Sequence, residues 1–115
     1  MTTYDMTDQA TVDRLNARTA NLMREHGWNA EQALDKVLHE LRIAGAEQIT
    51  ETNPANTDGG HIQLYRLADG KHINIWYSAY KAAEDVTTAD QFLNGGDGVG
   101  FDDQELEWED EDENN

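Results

Sequence analysis

The chain predicts an α+β domain: an N-terminal helical hairpin packed on a small antiparallel β-sheet of two to three strands, then a short C-terminal helix and an acidic tail. Three observations carry that expectation. Apolar residues recur at helical spacing as far as Gly45. The period shortens to two on either side of an Asp-Gly turn at Asp69 and Gly70. The last third of the chain is densely acidic and holds no base.

The first helix is expected over residues 8–26, where Val12, Leu15, Thr19, Leu22 and Met23 fall on one stripe. Thr7 is placed to cap its start, and Gly27 to end it in a left-handed turn. A second helix follows at once. Asn29 and Gln32 have the spacing of a capping box, Ala30, Ala33, Leu34, Val37, Leu38 and Leu41 form its apolar face, and Gly45 ends it. So short a joint implies a hairpin or a sharp corner, with Trp28 packed over both helices.

Residues 47–51 form a short polar candidate strand around Ile49 and Thr50, and residues 53–60 are rich in turn formers. Residues 61–67 and 72–80 are the two clear strands, with Asp69 and Gly70 at the hairpin turn between them. Ile73, Ile75 and Tyr77 share one face, which Ile62 and Leu64 are expected to continue and the helices to cover. His72, Asn74, Trp76 and Ser78 share the other face, on which Tyr65 and Tyr80 are expected as well. Thr88 and Gln91 cap a short helix within residues 87–93. The expected division is a compact domain over 1–94, a glycine-rich hinge over 95–100 and a mobile acidic arm over 101–115.

Charge divides the chain in the same way. Residues 82–115 hold thirteen Asp and Glu and no Lys or Arg, whereas residues 1–81 hold eleven acids against eight bases. A net charge of −16 opposes direct binding of nucleic acid or anionic lipid and favours a basic partner. A halophilic surface would spread its acids evenly, and here the body is almost neutral. The chain has no Cys, which excludes disulfides, thiolate metal sites and Cys nucleophiles. It has neither a membrane-length apolar run nor a basic-then-apolar leader at Met1, so a cytoplasmic protein is expected.

Motifs for chemistry are weak. Residues 95–101 approach a glycine-rich calcium repeat, but Gly100 stands where the ligand Asp belongs and the pattern occurs once. His26, His39, His61 and His72 lack zinc-site spacing. Ser78 and Lys81 match a Ser-x-x-Lys motif by letter, in a chain too small for the fold that uses it. The expectation is therefore no catalytic residue, no metal and no cofactor.

The acidic arm is the candidate partner-binding element: Phe101, Asp102, Asp103, Glu105, Leu106, Glu107, Trp108, Glu109, Asp110, Glu111, Asp112 and Glu113, together with the sheet aromatics Tyr65, Trp76 and Tyr80. Leu106 and Trp108 alternate with Glu105, Glu107 and Glu109, so an extended arm has one apolar and one anionic face. Closely spaced carboxylates can stand in for a phosphate backbone in a basic groove. The expected function is a non-enzymatic inhibitor of a basic nucleic-acid-binding protein, of the DNA-mimic, anti-restriction, anti-CRISPR or nuclease-immunity kind found among phage and plasmid anti-defence proteins. The alternative is an accessory or regulatory subunit that binds through its helix–sheet body, as a homodimer or with a partner, its tail serving solubility. A third course for the arm is to fold back on Arg14 and Arg18, one helical turn apart.

Overall fold

A computed structural model describes residues 4–50, 62–77, 83–94, 98–106 and 108 of the chain. Helix α1 (Gln9–His26) is capped by Asp8, whose carboxylate accepts the Thr11 N–H at 2.9 Å. The cap expected at Thr7 falls one residue on, and the Thr7 N–H instead donates to the His72 carbonyl at 2.8 Å. Gly27 closes α1 in the left-handed region, its N–H on the Met23 carbonyl. Helix α2 (Ala30–Ile43) opens on the expected Asn29–Gln32 capping box. Trp28 lies partly buried at the joint, stacked on His26 with ring centroids 4.3 Å apart. Arg18 in mid-α1 reaches Glu40 late in α2 at 2.9 Å, as an antiparallel hairpin requires.

The sheet has four strands: β1 (Glu47–Thr50), β2 (Ile62–Arg66), β3 (His72–Tyr77) and β4 (Val99–Asp102). They lie side by side in chain order, every neighbour antiparallel. Among the described residues, a 3-10 turn (Ala83–Asp85) and helix α3 (Ala89–Leu93), capped by the Thr88–Gln91 box, lie between β3 and β4. The two or three strands expected become four because residues 99–102, inside the expected hinge and arm, pair with β3. The N-terminal segment adds a parallel bridge from Met6 to His72, beyond the end of β4 on the same edge of β3.

The hairpin register corrects the expected faces. A two-residue turn at Asp69 and Gly70 would set Leu64 opposite Ile75, on the helix side. The turn takes three residues instead. Gly70 donates to the Leu67 carbonyl at 2.9 Å with φ at 90°, and Leu67 donates to Lys71 at 2.7 Å. This is a tight turn closed by a glycine bulge. It pairs Leu64 with Asn74, Tyr65 with Ile73 and Ile62 with Trp76. A shift of one residue flips every side chain of a strand to the other face. Tyr65 therefore joins Ile73, Ile75, Val99 and Phe101 against the helices, while Ile62 and Leu64 face away from them.

Both faces of the sheet are consequently buried. On one side α1, α2 and α3 cover the larger core, which includes Val12, Leu15, Leu22, Leu34, Val37 and Phe92. On the other side Ile62, Leu64 and Trp108 form a second cluster, with Tyr4, Met6, Ile49, Trp76 and Leu106 packed against it. No helix among the described residues is long and apolar enough to cross a membrane.

Candidate functional site

Residues 101–106 and Trp108 of the acidic segment are built into the domain, where an arm was expected. Phe101 lies in β4 and is buried in the helix-side core. Its backbone is clamped by one side chain of α1: the Phe101 N–H donates to Asn16 Oδ1 at 2.9 Å, and Asn16 Nδ2 donates to the Phe101 carbonyl at 3.1 Å. Asn16 thus completes the outer edge of β4 as a neighbouring strand would. Gly100 permits this approach. A Cβ there would lie 3.1 Å from both Asn16 Oδ1 and Phe92 Cζ, and φ is +131°.

Beyond β4 the chain turns across the outer face of the sheet as a strap. Asp102 starts the turn, its carboxylate accepting the Trp76 indole N–H and the Gln104 N–H. Asn74, fully buried in β3, donates from Nδ2 to the Gln104 carbonyl at 2.8 Å. Leu106 and Trp108 then point into the outer cluster, and Trp108 is 2 % exposed on Ile62 and Leu64, themselves at 0 %. The apolar side of the strap is spent on the protein's own sheet. Phe101, Leu106 and Trp108 are therefore not free anchors for a partner.

Magnitudes indicate what holds the strap. A buried Trp covers ~150–250 Å², worth several kcal/mol at ~25 cal/mol per Å². One pair of like charges at 4 Å in water costs ~1 kcal/mol. Apolar contact outweighs repulsion between single carboxylate pairs, so a highly acidic segment can still dock.

The polar side remains outward. Glu105 is exposed and Asp103 half-buried. With Tyr4, Asp5 and Met6 they line an open polar cleft of about 460 Å³. Asp5 is paired with Lys71 at 2.6 Å, which raises the Lys71 ammonium above its ordinary pKa, and Tyr4 lies on the His72 ring with centroids 4.8 Å apart. Among the described residues no ion pair joins Asp103 or Glu105 to a base. Arg18 pairs with Glu40, Arg24 with Asp90 and Arg66 with Glu47. Leu106 and Trp108 pack on the face of the sheet away from α1, the helix that carries Arg14 and Arg18.

The sheet aromatics separate. Tyr65 is buried on the helix side, its hydroxyl 2.6 Å from Arg42 Nη2 and 3.4 Å from Gln48 Oε1, with the Arg42 guanidinium 5.6 Å from the ring centre. That is the reverse of the outer-face position expected for it. Trp76 is on the outer face and tied to Asp102. Its exposed part borders a cleft of about 320 Å³ with Val99, Gly100 and Gln104. Tyr77 lies on the helix side, where burial, and then nearby Asp35, push its phenol well above the ordinary value.

Tyr80, Glu107 and Glu109, Asp110, Glu111, Asp112 and Glu113 lie outside the described residues, as do His61, Ser78, Lys81 and the glycine-rich stretch 95–97. Among the described residues no three of His, Asp and Glu are grouped so as to hold a metal ion. Sequence reasoning missed Asn16, Asn74 and Asp102 as the residues that dock the strap. Only Asp102 carried a signal, as the first acid after a buried Phe. No protein-family model, no curated protein and no solved structure matches this chain.

Proposed function

We propose that the chain is a non-enzymatic, cytoplasmic binding protein that inhibits a basic nucleic-acid-binding protein by presenting carboxylates in the place of phosphates. The observation that supports this reading is the docked strap. Trp108, Asn74 and Asp102 tie an anionic segment across a rigid sheet, with its apolar residues turned inward and Glu105 turned out. A segment held in place in advance loses less conformational freedom on binding than a loose tail does. Its charge attracts a basic groove at long range without reference to base sequence. In sequence Trp108 is followed at once by five consecutive acids, residues 109–113.

The test is displacement of a labelled DNA duplex from a panel of basic proteins, read by fluorescence anisotropy. A suitable panel is a nucleoid protein, a restriction endonuclease and a guide-RNA-loaded nuclease. The expected result is displacement from at least one of them, weakening steeply between 50 and 300 mM salt, on the order of the Debye screening range. A variant with Asp103→Asn, Glu105→Gln and the acids of 109–113 changed to their amides is expected to displace none. Equal displacement by both proteins, or none by either at low salt, contradicts the proposal.

A further inference from the structure

Trp76 is only partly buried. It packs against the cluster of Ile62, Leu64 and Trp108, and it also lines the cleft of about 320 Å³ beside β4. Its partner across the β3–β4 ladder is Gly100, which has no side chain to cover the indole. Of the side chains that line this cleft among the described residues, only Asp102 carries a charge. That carboxylate is held in place. One oxygen accepts the Trp76 indole N–H and the other the Gln104 N–H. A carboxylate has about four acceptor sites, so a fixed anion with capacity to spare stands beside a half-open aromatic ring.

We propose that this cleft is an arginine-binding site: it takes the guanidinium of one arginine side chain of the basic partner, stacked on the Trp76 indole and hydrogen-bonded to the Asp102 carboxylate. The face of an indole attracts a cation, and a planar guanidinium both stacks on it and offers a carboxylate a fork of N–H donors. An ammonium ion lacks the plane, and an anion meets no base in the lining. The two hydrogen bonds that fix Asp102 place the acceptor in advance, so little ordering remains for the moment of binding. An arginine seated on an aromatic pocket is also the kind of contact that dominates protein interfaces. The inference rests on the reading of a basic partner and adds the side chain that anchors it. The outward acids Asp103 and Glu105 line a different cleft.

Proton–nitrogen correlation spectra of the full chain, titrated with N-acetyl-arginine amide at constant ionic strength, read the site without any partner. Saturable shifts are expected at the Trp76 indole N–H and at the Gly100 and Gln104 amides, with a Kd on the order of 1 mM. N-acetyl-citrulline amide has the same shape without the charge, and is expected to bind about 10-fold more weakly, the factor of one charge-assisted hydrogen bond. Asp102→Asn is expected to weaken arginine binding by a similar factor, with cross-peaks from Trp108 to Ile62 showing that the strap stays docked. If Asp102→Asn releases the strap, the comparison of arginine with citrulline on the parent protein still decides. Asp103→Asn with Glu105→Gln is expected to leave arginine binding within about 2-fold, since exposed charges outside the site are screened. The arginine site can therefore fail while displacement of DNA succeeds, and the reverse. Equal binding of arginine and citrulline, tighter binding of the corresponding lysine amide, or no shift at Trp76 up to about 20 mM overturns the site.

Discussion

Asn16 sits in the middle of a helix, yet both polar atoms of its side chain are spent on the backbone of Phe101. A lone Asn in a helix reads as surface, and nothing in its neighbours marks it as the clamp on a strand 85 residues away. Gly100 belongs to the same device, since its missing Cβ is what lets Asn16 and Phe92 approach. In sequence that glycine looked like part of a linker, because three other glycines precede it closely. Two substitutions test the device. Asn16→Ala leaves the Phe101 N–H without its partner and is expected to cost ~1–3 kcal/mol. Gly100→Ala forces a side chain into a close contact at positive φ and is expected to cost a similar ~1–3 kcal/mol. Urea unfolding followed by far-UV circular dichroism measures both, and either variant behaving like the parent protein would remove the clamp from the description.

At the scale of elements, the helices were the most legible part. Their stripes and capping residues are local, and the Asn29–Gln32 and Thr88–Gln91 boxes form as their spacing implies. The hairpin was legible as an element but not in register, since one residue added to its turn exchanges the faces of β2. Strand β4 was illegible because Val99–Asp102 is only four residues long and follows a run of glycines that reads as a linker. The pairing of α1 with α2 carries a pH signature. The Arg18 guanidinium, hydrogen-bonded to Glu40, holds that carboxyl below its ordinary 4.5. A depressed carboxyl contributes stability above its unfolded value and loses it as pH falls through the folded one. Both side chains are well exposed, so solvent screening keeps the effect small. Glu40→Gln is expected to lower the urea midpoint slightly at pH 7, and the difference from the parent protein is expected to vanish well below pH 4.5. A difference that persists in acid would assign the loss to packing instead.

For the whole molecule, charge composition drew attention to the right segment and suggested the wrong mechanical state for its first half. Charge density alone implies a free arm, and the alternation of Leu106 and Trp108 with Glu105 implies a two-faced strip. The second signal prevails through Trp108, because the outer face of the sheet offers Ile62 and Leu64 as an apolar site that none of the described helices covers. Deleting the chain after Phe101 would remove that cover together with the acids, so amide substitution is the cleaner probe of charge. Whether the carboxylates are presented from a fixed strap depends on one contact, that of Trp108 with the sheet. Nuclear Overhauser spectroscopy on the full chain at 150 mM salt reads it directly. The docked strap predicts cross-peaks from the Trp108 indole protons to the methyl groups of Ile62 and Leu64. Random-coil shifts for residues 103–108 with no such cross-peaks would contradict it.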